Sequence, residues 1–228
     1  LIQHTWGVVT EMLDFPFLII SNCDSDILNE KIINDIIVSV LKSSFETMKV
    51  VLDEILQCIP KNQIKVIIDS LYHFVEQNFD LNISFNSVSY FWLISDYIKD
   101  KLETNSNNSE FNYSLASEAQ LIEYVSNDST DDYQYYQYLW IYLVLQLAKT
   151  SPDKRVQVRN GAILTTFSVI QSFLTDASQY SVLYDIVIRP VILQIKPPES
   201  TIAFSSQDQK DWMESFINIT NGLTKLLF

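Results

Sequence analysis

Two histidines, His4 and His73, two cysteines, Cys23 and Cys58, and the carboxylate pair Asp131-Asp132 are where acid–base, nucleophilic or metal chemistry would be sought in this 228-residue chain. General acid–base catalysis needs a titratable group within hydrogen-bond reach of the proton it moves. A metal centre needs several ligands at compatible spacing. The sequence assembles neither. His73 lies between Tyr72 and Phe74 at the edge of an apolar helical pattern and reads as structural. Asp131-Asp132 sits in a loose polar stretch that would not preorganise a site. HExxH, GxSxG and CxxC patterns are absent, and three scattered glycines make no phosphate-cradling loop. The expectation is a chain with no catalytic residue, no metal and no cofactor.

Polar residues with a meaningful spacing occur in two other places. Ser151-Pro152-Asp153-Lys154-Arg155 leads into Val156-Gln157-Val158-Arg159-Asn160-Gly161-Ala162. The pattern Asp-x-Arg-x-x-Val-Arg-x-x-Ala is that of the turn and second helix of a HEAT-type repeat. Asp153 is placed to cap the helix after it, since a carboxylate accepts from its free N–H groups and favours its positive end. Arg159 would reach a carboxylate or carbonyl of the next repeat and fix the stacking register. The alternative is a solvated charge. Ala162, beside Gly161, would let two helices approach closely. Arg155 is expected to be exposed and is the candidate for a partner contact.

The second place is Asn82-Ile83-Ser84 followed by Phe91-Trp92-Leu93-Ile94-Ser95-Asp96. Ser84 is placed to cap the helix that follows. Trp92 and Asp96 stand one turn apart on one helix face. They form either a partner-binding spot or, the favoured reading, a core tryptophan beside an aspartate bonded to a neighbouring loop. The run Tyr133-Gln134-Tyr135-Tyr136-Gln137-Tyr138 has no basic neighbour, so base stacking is disfavoured. It reads as an aromatic entry into a helix, half of it buried.

The elements that must position these residues are helices. Apolar residues recur every three or four positions through most of the chain. A short helix is expected over 2–14, broken by Phe15-Pro16-Phe17. A long pattern covers about 26–59, with Ile32, Ile33, Ile36, Ile37, Val40, Leu41, Met48, Val51, Leu52, Ile55 and Leu56 as its stripe and a bend or break at Ser43-Ser44. Pro60 opens a helix to about Gln77. The next runs from Ser84 to about Leu102, with Val88, Phe91, Trp92, Ser95 and Ile98 inward. Later helices cover about 138–149, 154–174, 178–193 and 207–227. The reading is all-α: a HEAT/armadillo-like α-solenoid of antiparallel pairs, about eight to nine helices. Its blocks are 1–102 and 133–228, separated by an acidic, Asn/Ser-rich, partly disordered insertion at 103–132 in which 115–125 has one short helical pattern.

Composition bounds the function. Net charge is −13, and seven acidic residues with no Lys or Arg lie between Glu103 and Ala148. Nucleic acid and direct docking on an anionic membrane are both disfavoured, because each draws on Lys and Arg. Two cysteines suit a reducing compartment, and a Cys23–Cys58 bridge is disfavoured. The sequons at Asn82, Asn107, Asn112, Asn127 and Asn218 read as chance matches. No signal peptide and no apolar run of membrane-spanning length is visible. Leu1 in place of an initiating methionine suggests a piece of a longer chain.

The runs Leu71 to Gln77, Asp80-Leu81-Asn82-Ile83-Ser84 and Phe91 to Asp96 resemble the repeats downstream of the Sec-seven domain in large Arf guanine-nucleotide exchange factors and their Mon-two relatives, with the closer likeness to the Mon-two branch. Leu139-Trp140, Asp153 to Phe167 and Trp212-Met213-Glu214-Ser215 resemble later blocks of the same family. The resemblance covers about 30–228 apart from the insertion, and Lys154 departs from its usual pattern. It implies a HEAT-like solenoid that is cytosolic and peripheral on trans-Golgi network and endosomal membranes. It implies a non-catalytic scaffold that binds a Dopey-family protein, with links to an Arf-like GTPase and a phospholipid flippase. The alternatives are the regulatory C-terminal region of an active exchange factor and an unrelated HEAT-repeat adaptor.

Overall fold

The computed structural model describes residues 2–22, 31–105, 115, 117–126, 131–174, 177–197 and 206–227. Among these the fold is all-α, of the α-solenoid class, with nine α-helices and no strand. The chain divides into two compact units, Leu1–Ile94 and Ser95–Phe228.

The first unit is built from α1 (Ile2–Asn22), α2 (Lys31–Glu54), α3 (Lys61–Glu76) and the start of α4 (Leu81–Asn105). α1 packs on both α2 and α3. The expected break at Phe15-Pro16-Phe17 is corrected: α1 continues through Pro16. A proline inside a helix removes the bond to the carbonyl four residues earlier, here that of Met12. The Ser44 hydroxyl donates to the Met12 and Leu13 carbonyls at 3.1 and 3.0 Å. The expected break at Ser43-Ser44 is corrected as well, because α2 is one helix through these residues and Ser44 serves α1.

Ile37, Leu41, Met48, Val51, Leu52 and Leu56 line the core as expected, whereas Ile32, Ile36 and Ile55 are exposed. Glu54 ends α2, and a 3-10 turn over Leu56–Cys58 follows. Pro60 then precedes α3, whose Ile64, Ile67, Ile68, Leu71, Phe74 and Val75 are all buried. At the helix start the missing proline N–H costs nothing. Cys58 is a free, exposed thiol; Cys23 lies outside the described residues.

The second unit has α6 (Asp132–Lys149) as its most buried helix, with every residue from Tyr135 to Ala148 buried. A helix apolar all round belongs inside a stack rather than on its surface. α6 packs on α5 (Glu118–Ser126) and on α7 (Val156–Phe173), and α7 packs on α9 (Ser206–Leu227). Asp131 caps α6 by accepting from the Tyr133 and Gln134 N–H groups. Asp131, the first of the carboxylate pair, therefore has a folding role. Within the acidic segment α5 buries Leu121 and Val125, stacks Tyr124 on Tyr138 with ring centres 4.5 Å apart, and joins Glu118 to Lys149 by an ion pair.

A single helix over about 178–193 is corrected as well. α8 (Ala177–Leu183) passes into a π-helical turn at Tyr184–Ile188, closed by Arg189 N–H to the Tyr184 carbonyl at 2.8 Å. Pro190 follows, has no N–H to extend the ladder, and the helix ends. The loop expected from Pro197-Pro198 lies largely outside the described residues.

Candidate functional site

Asp153, Arg155 and Arg159, three of the polar residues that the sequence marks out, come together at the turn between α6 and α7. Arg159 is 1% exposed, a charged side chain inside the second unit. Its guanidinium donates through Nη1 to the Asp153 and Lys154 carbonyls at 2.9 and 3.2 Å. Nε donates to Ser215 Oγ on α9 at 2.8 Å. The plane lies over the Trp212 ring, 3.9 Å from its centroid. Ser215 in turn donates to Asn160 Oδ1 at 2.6 Å and to the Asp211 carbonyl at 3.0 Å. Burial pushes the Arg159 pKa below its ordinary value, and Asp211, Asp153 and Glu214 oppose that shift. A guanidinium is not deprotonated in proteins, so Arg159 remains charged. It ties one turn and two helices together.

Arg159 is thus neither a solvated charge nor bound to a carboxylate of a following repeat. The carbonyls it takes belong to its own turn, and its partners across the packing are Ser215 and Trp212. Asp153 does not cap α7 directly. Its Oδ1 accepts the Arg155 N–H at 2.8 Å and Arg155 Nε at 2.9 Å, and its Oδ2 takes Arg155 Nη2 at 2.6 Å. Arg155, expected to be exposed for a partner, is instead half-buried in this two-toothed pair. Ala162 is buried on α7.

The turn before α4 differs from expectation in the same way. The cap is Asp80, whose Oδ1 accepts from the Asn82 and Ile83 N–H groups at 2.9 and 3.3 Å. Ser84 lies inside the helix, buried, donating to the Gln77 carbonyl at 3.1 Å and accepting from Gln77 Nε2 at 2.6 Å. Gln77 Oε1 also accepts the Phe79 and Asp80 N–H groups. One amide side chain therefore folds the whole turn. Asn82 is exposed.

Trp92 overturns the favoured core reading. It is 37% exposed. Successive helical positions are about 100° apart, so with Phe91 buried its neighbour turns to the edge of the stripe. Asp96, one turn on, is exposed too. Exposed Leu81 and Phe85 stand on the same side of α4 as Trp92.

Sequence reasoning missed several contacts. The Trp140 indole N–H donates to Ser95 Oγ at 3.0 Å, and its ring stacks on Phe173 at 3.9 Å and 15°. His73 stands 3.8 Å from Asp14, whose Oδ1 already accepts from buried Ser70 at 2.7 Å. Serine and histidine share one carboxylate here, so the histidine is not placed to take the serine proton. No cluster of three metal-ligating side chains occurs among the described residues. No described helix is long and apolar enough to cross a membrane.

The family described as the C-terminal region of Mon2 protein matches residues 53–215. Protein MON2 of Saccharomyces cerevisiae is 31% identical over 240 residues, covering 99% of this chain and 14% of that protein. The Monensin-resistant homolog 2 of Caenorhabditis elegans is 25% identical over 203 residues, covering 82% of this chain and 11% of its own length. The Protein MON2 homolog of Homo sapiens is 29% identical over 135 residues, covering 58% of this chain and 8% of its own. The chain thus spans about a seventh or less of each of these relatives. No solved structure matches it. With α3, α4, α6, α7 and the Arg159 contacts all inside the matched span, the chain belongs to the family of the Mon2 C-terminal region.

Proposed function

We propose that the chain is a non-catalytic scaffold segment of a large peripheral protein of Golgi and endosomal membrane traffic, holding protein partners on its helical surfaces. The observation that carries this reading is the family match over residues 53–215. It falls on helices whose most distinctive polar residue, Arg159, joins turn to helix rather than facing a cleft. The partner set follows the resemblance in the sequence: a Dopey-family protein held directly, with an Arf-like GTPase and a phospholipid flippase linked to it. Trp92, with Phe85 and Leu81, gives α4 an exposed aromatic face of the kind that anchors protein interfaces.

The test is capture of a purified Dopey-family protein by the immobilised chain, wild type against Trp92→Ala, with nucleotide release from an Arf-like GTPase measured alongside. The proposal expects capture, at least tenfold weaker for the variant, and an unchanged release rate. Accelerated release would show a catalytic contribution and overturn the scaffold reading. Failure of the wild-type chain to capture the partner would remove that partner.

A further inference from the structure

We infer that the outer face of α1 is a repeat-stacking surface, which receives an adjoining amphipathic helix pair of a longer solenoid. Trp6, Thr10 and Leu13 form the buried side of α1. On the opposite side stand Val8, Met12, Phe15 and Leu18, from 47% to 58% exposed. Their spacing of four, three and three residues is that of a buried helix stripe. α1 is therefore apolar on two opposed faces, and one of them is uncovered.

A helix patterned in this way belongs between two layers. An end repeat of a solenoid carries a polar outer face, because solubility requires it. α1 does not have the pattern of an end repeat: Glu11 is the charged residue within this stripe. An uncovered stripe of four large side chains on a soluble surface marks a contact.

Relatives supply the occupant. The Saccharomyces cerevisiae protein aligns over 99% of this chain, so α1 lies within the matched region, yet the chain spans only 14% of that protein. A great length of related chain thus lies outside the matched segment. Neighbouring repeats are what such a chain offers to a face of this shape. The receiving helices would present Leu, Ile or Phe towards Met12 and Phe15, and a Lys or Arg at the edge towards Glu11. This inference rests on the fold and stands apart from the choice of partners above.

The test is thiol accessibility. Met12→Cys and Phe15→Cys are made singly, with Cys23→Ser and Cys58→Ser to silence the native thiols, and Glu46→Cys on α2 serves as an exposed reference. Maleimide labelling, read on the peptides that carry positions 12, 15 and 46, is compared between the chain alone and a full-length family member carrying it. The inference expects positions 12 and 15 to label at least tenfold more slowly in the full-length protein, with position 46 unchanged. Equal rates in both contexts would overturn it. Protection that already appears in the isolated chain and grows with concentration would assign the face to a second copy instead. Protection that needs anionic vesicles would assign it to lipid.

Discussion

The Ser44 hydroxyl of α2 lies 3.1 Å from the Met12 carbonyl of α1, the carbonyl that Pro16 leaves without its helical N–H. A second helix thereby completes a hydrogen bond that the first cannot make. The pair couples a helix defect to a packing contact over a separation of 32 residues.

That coupling predicts a non-additive pair of substitutions. Ser44→Ala leaves the part-buried Met12 carbonyl without a donor and should cost about 1 kcal/mol. Pro16→Ala supplies a helical N–H to the same carbonyl, so Ser44→Ala in that background should cost clearly less. Urea unfolding of the four proteins in a double-mutant cycle gives the coupling. A Ser44→Ala cost that is identical in both backgrounds would mean that the serine does not compensate the proline.

Arg159 should be intolerant of lysine. Its planar fork meets Ser215 and two carbonyls while its face covers Trp212. A lysine keeps the charge, but its point donor cannot reproduce that geometry. Arg159→Lys should lose about 2 kcal/mol, and Arg159→Ala about 3–5 kcal/mol, since a cavity and unpaired polar groups remain. Near-UV circular dichroism during thermal unfolding, which reads the packing of the aromatic side chains, would follow both. Wild-type stability of Arg159→Lys would show that the charge alone is sufficient.

The helical periods made much of this fold legible. The six apolar residues named on α3 are all buried, as are Ala162, Ile163, Thr166, Phe167, Ile170 and Phe173 on α7. What periodicity could not show was where polar residues point. Pro16 and Ser44 each resemble a helix breaker until the two are seen to answer one another across a packing contact. Trp92 differs from Phe91 by one step of rotation, which a stripe drawn by eye does not resolve. Arg155 was expected in solvent because a charged residue usually is; Asp153, two residues away, holds it. Gln77 and Ser215 stand in runs that carry the family resemblance, but nothing in either run shows its hydrogen bonds, Gln77 to Ser84 and Ser215 to Arg159.

Gly222 should resist enlargement. A Cβ built there would stand 2.2 Å from Phe167 Cδ2 and 2.3 Å from Cγ, so the absence of a side chain lets α9 lie against the ring of α7. Overpacking of this kind costs about 1–3 kcal/mol. Gly222→Ala should therefore destabilise the second unit, despite alanine's better helix propensity of about 1 kcal/mol. Adding Phe167→Leu should recover part of the loss. A Gly222→Ala protein as stable as wild type would mean that α9 shifts freely on α7.

His73 should make stability depend on pH. Asp14 from α1 stands 3.8 Å from its Nδ1 and raises its pKa above the ordinary 6.5, burial opposes the rise, and Glu76 and Asp69 add to it. The folded state therefore holds the proton more tightly than the unfolded chain does. The resulting stabilisation is fully present below about pH 6.5 and is lost as pH rises through the folded value. The melting temperature of wild type should exceed that of His73→Gln by most near pH 6, and the gap should close towards pH 9. Measuring the difference between the two proteins cancels the remaining titrations. A gap that widens with pH would show that His73 is held neutral against Phe17, whose ring centre lies 5.3 Å away, rather than charged beside Asp14.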